Sequence, residues 1–295
     1  ACGSAPPRQP MAVEQAQKVE NEAHRALRDG DLPRARELFR QSLLLQQSLD
    51  NIPASAMAAI NLASVLHKLG DSAAAQGLLE SVLADHSGQI PSELLAAAAF
   101  RKGVMLADRG NIAEAESALQ IADQHCNRQC AFVPGMNNLR ARLLLDKGDF
   151  APALAYAAAV ISAGAENEEL ANARRIAAAA ETALGRDEAA LAHYLAALEL
   201  DKQLAFSARI AEDLRGVARV LKKLGREVEA EVYAFSTFLF AAVTYLIIRW
   251  NERADNKDSE KYILMIAYLV GLSTGVHLMS VLAAVPVVMI IMFKK

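Results

Sequence analysis

A glycine recurs through the first three quarters of this chain at near-constant intervals, and that recurrence restricts the fold more than any other feature. The residues are Gly30, Gly70, Gly110, Gly148, Gly185 and Gly225, separated by 40, 40, 38, 37 and 40 positions. Self-similarity at a fixed period of about 20 to 50 residues marks a repeat architecture. A polar residue follows each glycine: Asp31, Asp71, Asn111, Asp149, Arg186 and Arg226. Five residues after each stands an alanine (Ala35, Ala75, Ala115, Ala153, Ala190, Ala230). Seven before each stands alanine or glycine (Ala23, Ala63, Gly103, Ala141, Ala178, Ala218). The unit reads as helix, tight turn, helix. Glycine accepts the left-handed conformation that ends one helix, Asp or Asn can cap the next, and the small residues sit where the paired axes cross.

Between the glycines, apolar residues keep helical spacing. Ala35, Leu38, Phe39, Ser42 and Leu43 form one stripe, and Ala190, Leu191, Tyr194, Leu195 and Leu198 another. Alternation with period two is absent, and nine Pro with fifteen Gly in 295 residues disfavour a turn-rich sheet protein. The expected fold is therefore all-α. A net charge of −3 supplies no basic footprint for nucleic acid.

The strings "GDLPRARELFRQSL" (Gly30, Ala35, Phe39, Ser42, Leu43) and "GRDEAALAHYLAALEL" (Gly185, Ala190, Tyr194, Ala197, Leu198) resemble the tetratricopeptide repeat family. The period exceeds the family's usual length of about 34, the family's first-helix Trp is absent, and its Pro after the second helix is mostly missing. The resemblance implies an α-solenoid of about six helical hairpins over residues 11–231, with a concave groove that receives a peptide or a partner's helix. A single hairpin cannot bury its own apolar face, so the units must stack. Polar positions on the first helices supply the candidate groove: Asn61, His67, Arg101, Lys102, Asn138, Arg142, Arg174 and Arg175. The bland alternative for each is a solvated face. As a set they suggest an acidic or carboxylate-ended partner.

Catalysis has little to stand on: six scattered His form no metalloprotease pattern, and no phosphate loop is present. No cofactor or metal is expected. Cys126 and Cys130, in "HCNRQC", allow a local disulfide, two free thiols or, with more ligands than these, a metal site.

Past Glu231 the character changes. Residues 232–248 and 262–293 carry no Asp, Glu, Lys or Arg, and a membrane span needs about 20 apolar residues. Two or three transmembrane helices are expected over 232–295, the second run being broken near "GLSTGVH" or Pro286. His277 lies within that run, where an ionisable group is a functional hypothesis by default. The alternative is a neutral His bonded to a neighbouring helix.

Residues 1–10, "ACGSAPPRQP", form a linker whose start resembles a bacterial lipoprotein junction, which implies acylation at Cys2. The alternative is an incidental cysteine. The C-terminal strings "EVEAEVYAFSTFLF" and "GLSTGVHL" resemble a Bacteroidetes family of membrane proteins related to GT-C-class protein O-mannosyltransferases. The match rests on Glu229, Glu231, Val232, Tyr233, Ala234, Trp250, Gly271, Leu272, Gly275, Val276, His277, Leu278 and Pro286. It implies that His277 helps line a lipid-linked donor pocket. The family's acidic loop has no counterpart upstream of the match, so the transferase activity does not carry over. The expected function is a protein-binding scaffold of the bacterial cell envelope, membrane-associated, with the repeats in the periplasm. The rival is a glycosyltransferase-like fragment fused to a repeat domain and inactive as it stands. The sixth repeat is expected to lose its second helix, and the two parts to be joined near residue 229 as a chimera.

Overall fold

All six recurrent glycines take left-handed φ values, between 72° and 87°, in a computed structural model that describes residues 11–85, 87–126, 130–204, 207–253 and 260–276. Five of the turns share one bonding pattern. The residue after glycine donates its N–H to the carbonyl five back, as in Asp31 to Ala26 (2.9 Å) and Arg226 to Leu221 (2.9 Å), while glycine donates to the carbonyl three back. The orphan carbonyls of one helix are thus satisfied before the next begins. Asp31 and Asp71 then cap the following helix, accepting from the N–H of Arg34 (3.1 Å) and Ala74 (3.2 Å).

Thirteen helices and no strand occur among the described residues. The paired helices are α1 (Met11–Arg28) with α2 (Leu32–Ser48), α3 (Ile52–Lys68) with α4 (Ser72–Leu83), and α5 (Ser92–Asp108) with α6 (Ile112–Cys126); α7 (Val133–Lys147) and α8 (Phe150–Ser162) come next in the chain. The pairs continue as α9 (Asn167–Ala183) with α10 (Asp187–Gln203) and α11 (Ser207–Lys223) with α12 (Glu227–Glu252), followed by α13 (Glu260–Val276). The fold is an all-α solenoid of the tetratricopeptide kind. Two compact units divide the chain, residues 1–146 and 147–295.

In the first unit, Phe39, Leu79, Leu143 and Val65 are fully buried. The small residues five after each glycine are buried throughout, and Gly103 shows why size matters at the seven-before position. A Cβ there would stand 3.1 Å from Leu139 Cδ2 and 3.4 Å from the Ala115 carbonyl. In the fifth hairpin Ala178 keeps that place, fully buried, but in the sixth the close approach shifts by two residues. Ala218 is only half-buried, and Gly216 instead lies under the Tyr194 ring, whose Cε1 would be 2.5 Å from an added Cβ.

The sixth hairpin keeps its second helix, contrary to the expectation. α12 runs unbroken for 26 residues through Glu231. Its Ala230 joins Tyr194, Val217, Val220 and Leu221 in one core, with Tyr233 packed against it. Among the described residues α12 is the one helix long and apolar enough to cross a membrane, where two or three were expected. α13 is apolar but has 17 residues. Cys2 and His277, the 1–10 linker and the rest of the second apolar run lie outside the described residues.

Candidate functional site

Successive first helices of the first unit meet along one charged ridge. His67 leaves the last turn of α3, Asp108 ends α5, and Arg142 stands on α7, six residues before Gly148. Asp108 is shared: its Oδ2 is 2.8 Å from His67 Nε2 and its Oδ1 is 2.6 Å from Arg142 Nη1. Arg142 Nη2 also donates to the Ala107 carbonyl at 3.3 Å. Burial pushes Asp108 upward, but hydrogen bonds from Arg142 and His67 outweigh it and hold the carboxyl below its usual range. An ionised Asp108 has no proton to give, so His67 Nε2 donates. In a neutral ring Nδ1 then accepts from the Ser72 hydroxyl at 3.1 Å. The three side chains are still 23%, 37% and 40% exposed, so solvent reaches them.

The other predicted groove residues divide. Asn61 is half-exposed on α3, and Arg101 is exposed on α5, its guanidinium 5.4 Å from the Phe100 ring centroid. Lys102 turns to the second helix of the preceding hairpin, where its Nζ meets Glu80 at 2.9 Å. Asn138 is buried at 5% exposure, so it packs between helices instead of facing a ligand. In the second unit Arg174 Nη1 lies 3.3 Å from His193 Nδ1. Burial, with Arg174 adding, lowers His193 from its ordinary value.

Arg175 is the clear departure from a groove role. It sits inside the second unit and holds α9 to two fully buried carboxylates, Asp201 of α10 and Asp213 of α11. Its Nε meets Asp213 Oδ1 at 2.8 Å, and the Asp201 contact is tighter still. Burial, with Asp201 adding, raises Asp213 to about 7 against the pull of Arg175. One proton shared by two carboxylates beside one guanidinium leaves the cluster neutral, which is the state a buried site favours. Neither aspartate stands out in the sequence as a site residue. The available signal was position: Asp213 falls on the α11 stripe with Leu214, Val217 and Val220, and Asp201 follows Tyr194 and Leu198 on that of α10.

At the end of α6, Cys126 and Cys130 are paired as a disulfide, both buried. Among the described residues no group of three or more His, Cys, Asp or Glu is placed to hold a metal ion.

Residues 21–90 and 62–127 match the tetratricopeptide repeat model, and residues 224–295 match the model described as Protein O-mannosyl-transferase TMEM260 N-terminal domain. Among curated proteins, none matches the sequence. Solved structures share the fold. One is PilW, a type IV pilus biogenesis factor (TM-score 0.55, 17% identity, 84% of this chain and 98% of that one). Another is a Rap protein complexed with Competence and Sporulation Factor (0.58, 16%, 89% and 77%). A third is a tetratricopeptide repeat protein from Parabacteroides merdae (0.50, 14%, 88% and 99%).

Proposed function

We propose that this chain is an envelope scaffold whose ridge of first helices takes up a peptide or helix of a partner protein while its C-terminal helices hold it to a membrane. The Asp108 junction carries this reading. It lines up donors from α3 and α7 around one carboxylate that solvent can reach. A partner carboxylate arriving there would meet donors already oriented and would exchange with Asp108 instead of filling an empty cationic groove. Asn61 on α3 and Arg101 on α5 are the further contacts of this proposal in the first unit, and Arg174 is a separate one in the second. Lys102, Asn138 and Arg175 have structural roles, so they leave the proposed contact set. The complex of the similar Rap protein with its factor is a precedent for ligand uptake on this fold, no more.

The test uses a photo-crosslinking residue at position 61 or 101 in the full chain, in intact cells. A defined protein captured from these positions but not from position 37, on the second helix α2, supports the scaffold, and Arg142→Gln should reduce that capture at least tenfold in a chain that still melts cooperatively. Equal capture from all three positions refutes it. Cys2 acylation and a periplasmic location for the repeats belong to the same proposal, and the mass of the N-terminal peptide tests the first.

The match over 224–295 supports a second reading, in which that part is a piece of a GT-C-type transferase joined to the repeats. Sugar transfer from a lipid-linked donor by the full chain would favour it. Unbroken genes in several isolates, read across the junction, would exclude an artificial join.

A further inference from the structure

The sixth hairpin combines two properties that exclude one another inside a bilayer. α12 is long and apolar enough to cross, and residues 232–248 carry no Asp, Glu, Lys or Arg. Yet α11 packs against it, antiparallel across the tight Gly225 turn. Both helices rise about 1.5 Å per residue, so α12 from Val232 to about residue 242 runs beside α11 from about residue 218 back to its start. That part of α11 carries Arg209, Glu212, Asp213 and Arg215. Only the last ten or so residues of α12 project beyond it, about 15 Å, half of the roughly 30 Å hydrocarbon core.

A crossing α12 still docked on α11 would therefore draw four ionisable groups into hydrocarbon, where each is strongly disfavoured. Asp213 is tied to Arg175, so α9 and α10 would be drawn in behind. The docked state has its own defect in water. Phe235, Phe238, Tyr245 and Ile248 of α12 stay 44%, 64%, 60% and 52% exposed, and Leu264 and Tyr268 of α13 extend the apolar surface. Such a face is suited to lipid.

We infer that α12 has two seats: it closes the sixth hairpin away from lipid and separates from α11, hinging at Gly225, when it crosses a bilayer. Separation uncovers the α11 stripe Leu214, Val217, Val220 and Leu221, which is buried in the closed hairpin. The inference rests on the membrane association in the proposed function.

The test is a distance measurement on the full chain in a Cys2→Ser background. Spin labels go on the exposed pairs Arg215→Cys with Phe235→Cys and, independently, Glu212→Cys with Phe238→Cys, so that one pair serves should the other disturb the hairpin. In amphipathic polymer both distances should stay under about 20 Å, as helices with axes about 8–10 Å apart require. In phosphatidylethanolamine and phosphatidylglycerol vesicles both should lengthen, to about 21–30 Å for the first pair and about 28–39 Å for the second as the Gly225 hinge opens from a right angle to straight. Short distances in a chain that floats with the vesicles overturn the inference while leaving membrane association intact. A chain that does not float overturns both.

Discussion

Rising pH should loosen the second unit, and Asp213→Asn should abolish the effect. Asp201 and Asp213 are both fully buried and share the Arg175 guanidinium. Burial lifts Asp213 from 3.8 to about 7, and the folded chain then holds a proton that the unfolded chain loses near pH 4. Stability from that proton is complete below the unfolded value and is lost as pH climbs through the folded one. At about 1.4 kcal/mol per unit, a rise of roughly three units sets a ceiling of about 4 kcal/mol. A comparison of pH 5 with pH 8 samples only the upper two units or so, about 3 kcal/mol, which for a unit of about 150 residues is a fall in melting temperature of roughly 5–10 °C. Asp108 does not confuse the reading, because it is held below its usual range and titrates beneath that window. Trp250, the only tryptophan, is buried on α12 in the same unit and reports its melting by fluorescence. In Asp213→Asn the amide can accept from Arg175 and donate to Asp201 with no proton to exchange. The variant should lose the fall and keep only the small rise toward pH 8 that His193, held below its ordinary value by burial, contributes as its proton leaves, and it should melt above the native chain at pH 8. Equal native melting temperatures at pH 5 and pH 8, or a variant that keeps the slope, would refute the shared proton.

Two glycine substitutions separate packing from backbone strain, each read by thermal melting at 222 nm. Gly216→Ala puts a methyl into the Tyr194 ring at 2.5 Å, and overpacking of this kind destabilises by about 1–3 kcal/mol. A neutral result would mean that α11 can slide away from α10. Gly70→Ala meets nothing within 4 Å but sits at φ +87°, so only the left-handed penalty of about 1–2 kcal/mol applies. A larger loss would show that the turn does more than reverse the chain.

The hairpins were legible because their signals are local. A glycine at left-handed φ, a capping aspartate and a small residue at a fixed offset act within one turn and do not depend on what packs above them. The ridge was half legible. His67 and Arg142 stand out as polar positions on first helices, but Asp108, which joins them, does not, because its role depends on three first helices lying in register. The place of Arg175 is hidden for a related reason. A guanidinium on a first helix looks solvent-bound until its carboxylates are seen to come from α10 and α11, 26 and 38 residues further on. Local spacing carries no information about such partners.

The border between the two parts of the chain is hard to place because one helix answers to both. The match to the membrane family begins at residue 224, yet Ala230 keeps the offset of five from its glycine and is buried against the repeat core. A helix that pairs with a neighbour and a helix that meets lipid need the same inner stripe, small and apolar at helical spacing. The two demands differ only on the outer face. There Glu227, Glu229 and Glu231 are exposed to water, whereas Phe235 and Phe238 a turn later present rings. The change from a face that suits water to one that suits lipid thus falls between Glu231 and Phe235, within a continuous α12. Since the backbone does not break there, a boundary drawn from helix ends would miss it, and one drawn from the outer face finds it.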